Sequence, residues 1–94
     1  MIINNNLKMY VKKLRSSNLR PTKQRLKICN FLFDRKKTFH FTVETLNKKI
    51  NMNGSAKVSL ATIYNTVEAF TKAGYLKEIL TSKNKSYYDT NIKS

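Results

Sequence analysis

Cysteine, proline and histidine each occur once in this chain, glycine occurs twice, and only five residues are acidic. Each scarcity closes off a class of function. The lone Cys29 excludes an internal disulfide and any zinc site built on cysteine pairs, and the burial habit of a free thiol makes it a small core residue. With one histidine and five scattered acids there is no pair of catalytic carboxylates, and no Gly-rich phosphate loop or nucleophile elbow occurs, so the chain does not read as an enzyme. No apolar run approaches the roughly 18 residues that a membrane helix needs, and no charged-then-apolar leader is present. A cytoplasmic protein without a membrane partner is the expectation.

What the chain does hold is positive charge. Its 19 Lys and Arg against 5 Asp and Glu leave a net charge of +14 on 94 residues, a length suited to a single domain with one modest core. Such a surface calls for a polyanion, with nucleic acid favoured over an anionic membrane face. The preference for lysine and asparagine also follows from an AT-rich genome, which accounts for part of the excess.

Residues 1–6 are polar and read as a flexible N-terminus. Leu7, Tyr10, Val11 and Leu14 then recur at helical spacing, with Lys8, Lys12, Lys13 and Arg15 on or beside the wet face. Ser16 to Pro21 interrupts the pattern, and Arg20, preceding Pro21, is pushed to an extended conformation. Thr22 offers an N-cap to a second helix carrying Leu26, Cys29, Leu32 and Phe33 on one face, with Ile28 and Phe31 beside it; this helix is expected at the centre of the core. Lys23, Arg25 and Lys27 stand at its start, where cations oppose the helix dipole unless an anion is bound, a solvated basic face being the alternative. After a charged linker, Asp34 to Thr38, come Phe39, His40 and Phe41. Thr42 caps a third helix with Glu44 in its first turn and Val43, Leu46 and Ile50 inward. Asn53-Gly54 reads as a turn.

The stretch Lys57 to Leu76 reads as a helix displayed for contact. Ser59 N-caps it and Gly74 ends it in the left-handed conformation. Leu60, Ile63, Val67 and Phe70 form the inward stripe, which leaves Thr62, Tyr64, Asn65 and Thr66 outward near the front. Tyr, Asn and Thr without a carboxylate suit the DNA major groove, where amides read base edges and apolar surface meets thymine methyls. Tyr75 to Leu80 and Ser86 to Asp89 signal a β-hairpin whose polar turn lacks glycine and carries Lys83 and Lys85. The fold class is therefore mainly α with a small β-hairpin, a winged helix-turn-helix domain over residues 7–90, with the third and fourth helices as the helix-turn-helix pair.

From Leu14 to Asp89 the chain resembles the DNA-binding domain of the Fur family of metal-responsive bacterial repressors. The resemblance rests on Leu19-Arg20-Pro21-Thr22 with Arg25, Phe39-His40-Phe41-Thr42 with Glu44, Ser59-Leu60-Ala61-Thr62-Ile63-Tyr64-Asn65-Thr66, Ala73-Gly74 and Ser86-Tyr87-Tyr88-Asp89. Asn65 stands where Fur proper usually has arginine, which makes the chain more similar to the Irr and PerR branches, Irr above all. The resemblance implies an operator that is an AT-rich inverted repeat in double-stranded DNA. Tyr64 would meet thymine methyls, Asn65 base edges, Arg20 a narrow minor groove, and Arg25 and Thr62 phosphates; Ser59, Lys83 and Lys85 complete the candidate DNA-binding set. His40 and Asp89 align with regulatory metal ligands but form an incomplete site, since the remaining ligands of the family and its structural zinc belong to a C-terminal dimerisation domain. Residues 91–94 would begin the hinge to that domain. The implied effector of a full-length member is a divalent metal, iron or manganese, or haem, although no Cys-Pro haem motif is present. The full-length member would be a homodimer and this chain a monomer.

Two other functions fit the composition. A sequence-indifferent RNA-binding or ribosome-associated protein needs only basic charge and exposed tyrosines to stack on bases. A protein-interaction module would pair with, or inhibit, a full-length relative.

Overall fold

The computed structural model describes residues 5–34, 40–52 and 57–90, apart from the Asn5 side chain. In chain order it contains α1 (Asn5–Ser16), α2 (Lys23–Phe33), β1 (His40–Phe41), α3 (Val43–Ile50), α4 (Leu60–Ala73), β2 (Lys77–Leu80) and β3 (Ser86–Asp89). This is a winged helix, with α3 and α4 as the helix-turn-helix pair. The expected Asn53-Gly54 turn, most of the 34–38 linker and the start of the hinge lie outside the described residues.

α1 begins at Asn5, two residues ahead of the first periodic apolar side chain, and Asn6 Nδ2 donates to Asp34 Oδ1 at 3.0 Å. Its buried stripe is narrower than the spacing suggests: Tyr10 and Leu14 are buried, Val11 is half-buried and Leu7 is exposed. α1 stops because Asn18 takes the left-handed conformation (φ 63°), which lets Leu19 N donate to Leu14 O (2.8 Å) and Asn18 N to Arg15 O (3.0 Å). Gly74 (φ 89°) ends α4 by the same pair of bonds, Tyr75 N to Phe70 O (2.8 Å) and Gly74 N to Thr71 O (3.2 Å). The two ends then meet. Lys13 Nζ sits 5.0 Å from the Phe33 ring centroid and 4.2 Å from that of Tyr75, and the Ser16 and Tyr75 hydroxyls share a 2.6 Å hydrogen bond.

α2 packs against α1, α3 and α4, as expected of a central helix. Its buried residues are Ile28, Cys29 and Leu32, while Leu26, Phe31 and Phe33 are half-buried at the margin. Burial pushes the Cys29 thiol up to about 12, so it stays protonated and unreactive at neutral pH. Thr22 caps α2 by accepting from Arg25 N (3.2 Å). On α3 the cap is reciprocal: Thr42 Oγ1 accepts from Thr45 N (3.1 Å) and Thr45 Oγ1 accepts from Thr42 N (3.0 Å).

On α4 the inward set differs from the expected stripe. Ile63, Thr66, Val67 and Phe70 are buried, and Leu60 is 46% exposed. Thr66 tolerates full burial because its hydroxyl donates to Thr62 O at 2.7 Å, leaving no orphaned polar atom. Leu60 is the first helical residue after the Ser59 cap, ahead of the turn where α4 meets the core.

The wing is a three-stranded antiparallel sheet of order β1-β3-β2, one strand more than the expected hairpin. β1 pairs His40 with Asp89 and Phe41 with Tyr88, whose rings stack at 5.9 Å. The tip turns without glycine because Asn84 adopts φ 58°, and Thr81 holds it closed: Thr81 N donates to Lys85 O (3.0 Å) and Thr81 Oγ1 accepts from Lys85 N (3.3 Å).

Candidate nucleic-acid interface

The end of α3 is tied to the start of α4 by one side chain. Asn51 Nδ2 donates to Val58 O (3.0 Å) and Asn51 Oδ1 accepts from Val58 N (2.7 Å), so an asparagine at the end of α3 mimics a strand partner for the residue just before the α4 cap. Gln24 Oε1 accepts from Ser59 N (3.2 Å), tying the start of α4 to the start of α2. Neither contact had a signal in the helical periodicity: the first spans the seven residues between two helices and the second joins residues 35 apart.

So held, the first turns of α4 present Leu60, Ala61, Tyr64 and Asn65 to solvent. Thr62 is half-buried; its backbone N donates to Ser59 Oγ (3.2 Å) and the two hydroxyls share a 2.7 Å bond, so both residues act in the cap. Thr66, expected outward, is absent from this surface. Leu60 takes its place, adding apolar surface beside Tyr64 of the kind that suits thymine methyls.

Tyr64 and Asn65 are neighbours in sequence but line different grooves. Asn65 joins Arg25, Glu68, Lys72 and the Ser16–Leu19 link in a groove of about 530 Å³. Tyr64 joins Glu44, Lys48, Asn84 and Lys85 in one of about 590 Å³ between α3, α4 and the wing. Lys83 is exposed near the wing tip and Arg20 is exposed before α2. Arg25 is half-buried; its Nη1 donates to Arg20 O (3.0 Å), but its Nε is buried without a hydrogen-bond partner. Arg25 stands in the first turn of α2, three residues after the Thr22 cap, and its cationic side chain lines the groove that Asn65 shares.

Tyr64 Oη donates to Glu44 Oε2 at 3.3 Å. The Glu44 charge, then that hydrogen bond, then slight desolvation raise the Tyr64 phenol above its ordinary range, so the hydroxyl remains a donor. Glu44 and Lys48 carry no local sequence signal for this surface; they join it because α3 and the wing face one another across the groove.

His40 and Asp89 are directly opposite in the β1-β3 register, with Lys77 opposite Asp89 on the other side. His40 is exposed, and its ring lies 6.4 Å from that of Tyr87. Among the described residues no group of three or more His, Cys, Asp and Glu side chains could hold a metal ion. Two donors beside a lysine do not complete a tetrahedral or octahedral site.

The family model of the ferric uptake regulator family matches residues 16–94. The chain belongs to the ferric uptake regulator family. The match begins at the last residue of α1, and the Fur-family region thus takes in α2, both helices of the helix-turn-helix and the whole wing. Among solved structures, the chain is similar to the ferric uptake regulator from Pseudomonas aeruginosa with manganese, at a TM-score of 0.68 and 25% identity over 84% of this chain and 57% of that one. The chain therefore spans less than two thirds of that relative. No curated protein matches it. Among the described residues no helix is long and apolar enough to cross a membrane.

Proposed function

We propose that the chain is the DNA-reading part of a Fur-family transcription repressor and binds AT-rich inverted repeats in duplex DNA. The reading rests on one observation above others: Tyr64 and Asn65 stand exposed on the front of α4, with the Arg25 groove on one side and the wing groove on the other. In this arrangement α4 enters the major groove, Tyr64 and Leu60 meet thymine methyls, Asn65 reads base edges, and Arg25 and Lys85 follow the phosphates. Arg20, exposed before the α2 cap, reaches the adjacent minor groove. Ser59 and Thr62 contribute by fixing the first turn of α4. Asn65 in place of arginine supports an Irr-like or PerR-like base preference. Control by a divalent metal belongs to the complete family protein, to which His40 and Asp89 would contribute two donors.

The rival function, stacking on unpaired RNA bases, needs several exposed aromatic faces. Of the five tyrosines, Tyr10 is buried, Tyr75, Tyr87 and Tyr88 are half-buried, and Tyr64 alone is exposed. That distribution favours duplex DNA.

The test is fluorescence anisotropy on an AT-rich inverted repeat and a scrambled duplex across a salt series, with single-stranded RNA as competitor. Tighter binding to the repeat at every salt is expected. Equal affinity for the two duplexes throughout would leave only charge, and preference for the RNA would favour the rival. Lys83→Ala is expected to weaken both duplexes alike and to lower the salt slope by about one, the mark of a lost phosphate contact.

A further inference from the structure

The wing groove carries one acid, Glu44, where a phosphate-binding face should have none. Glu44 is exposed in the first turn of α3 and lines the wing groove together with Lys48, Lys85 and Tyr64. The α3 cap does not need it, because Thr42 and Thr45 satisfy each other. Among the described residues it forms no ion pair, although Lys48 and Lys85 share its groove; the ion pair on this side of the molecule is Lys72–Glu68 on α4, at 3.4 Å. What Glu44 does hold is the Tyr64 hydroxyl.

We propose that Glu44 is a specificity-determining residue of this surface, which holds the Tyr64 ring by its hydroxyl and keeps a negative charge in the groove it shares with Lys48 and Lys85. The inference rests on the DNA-binding function above and adds a second half to it. A basic protein with a +14 charge binds any duplex through counterion release, and that sequence-independent affinity competes with the operator. A carboxylate in the groove repels a phosphate that settles there without the right bases beside it, at a cost that correct seating of Tyr64 offsets. The tether acts on the other term: a ring already held in one orientation loses less freedom when it meets thymine methyls.

Three variants separate the two parts, measured on the best duplex selected from a random pool and on its scrambled counterpart. Glu44→Gln keeps an acceptor for Tyr64 and removes the charge; it is expected to tighten binding to the scrambled duplex by about 3- to 10-fold. Tyr64→Phe keeps the ring and the charge and removes the tether; it is expected to weaken the selected duplex alone. Glu44→Ala loses both and is expected to lower the ratio of selected to scrambled affinity by about tenfold or more. Thermal unfolding midpoints should stay at the parental value, since both side chains are exposed. A ratio for Glu44→Ala within about twofold of the parent, with parental discrimination intact, overturns the inference alone. A parent protein that binds selected and scrambled duplexes equally overturns the DNA-reading function, and this inference with it.

Discussion

Phe70→Ala is expected to cost the fold about 3–5 kcal/mol. Phe70 is 0% exposed and, among the described residues, is the largest of the fully buried side chains. Its ring meets Phe33 edge-on at 5.6 Å and Tyr75 at 5.9 Å and 89°, so it joins α4 to the end of α2 and to the residue that Lys13 and Ser16 of α1 hold. Truncation leaves a cavity among elements that cannot collapse onto it without moving α1 and α2 together. Small domains have about 5–15 kcal/mol in all, so the variant would stand near the edge of folding. At ~4–8 °C per kcal/mol for a chain of this size, its midpoint falls by more than ~12 °C. Urea titration followed by circular dichroism checks this: the midpoint should fall with the slope unchanged. A loss under about 1 kcal/mol would mean that α4 is not seated as described.

Tyr64→Ala is expected to remove about 1–3 kcal/mol of discrimination between operator and scrambled duplex, roughly a 5- to 150-fold fall in the ratio. Tyr64 carries no charge, so the scrambled-duplex affinity and the salt slope should barely move. Because it is 46% exposed and its hydroxyl bonds an exposed carboxylate, stability should be near parental. The contrast with Lys83→Ala is the decisive point, since that change weakens all sequences together. If the two variants behave alike across the salt series, α4 does not enter the groove as proposed.

The ends of the helices were legible in the sequence. Thr22, Thr42 and Ser59 cap as their chemistry requires, and Gly74 stops α4 where a left-handed residue was needed. These are local decisions, made by a hydroxyl or a missing Cβ within a few residues. The inner and outer faces of α4 were read less well. Leu60 looks like core by spacing and Thr66 looks like surface by polarity, yet the first precedes the buried turn and the second hides its hydroxyl in a bond to its own helix. β1 had no signal because a two-residue strand exists only by virtue of the edge that β3 offers it. The candidate site divides the same way. Individual members such as Tyr64, Asn65 and Arg25 stood out from their motifs, whereas their distribution between two grooves, and the place of Glu44 and Lys48 in one of them, depend on how α3, α4 and the wing are set side by side.

β3 is the middle strand, and this joins two parts of the surface that are separate in sequence. One edge of β3 carries β2, and with it the loop of Lys83 and Lys85; the other edge carries β1, which runs into Thr42, the cap of α3. Asp89 at the end of β3 pairs with Lys77 of β2 on one side and with His40 of β1 on the other, two residues ahead of the α3 cap. One strand thus serves both the wing tip and the approach to α3.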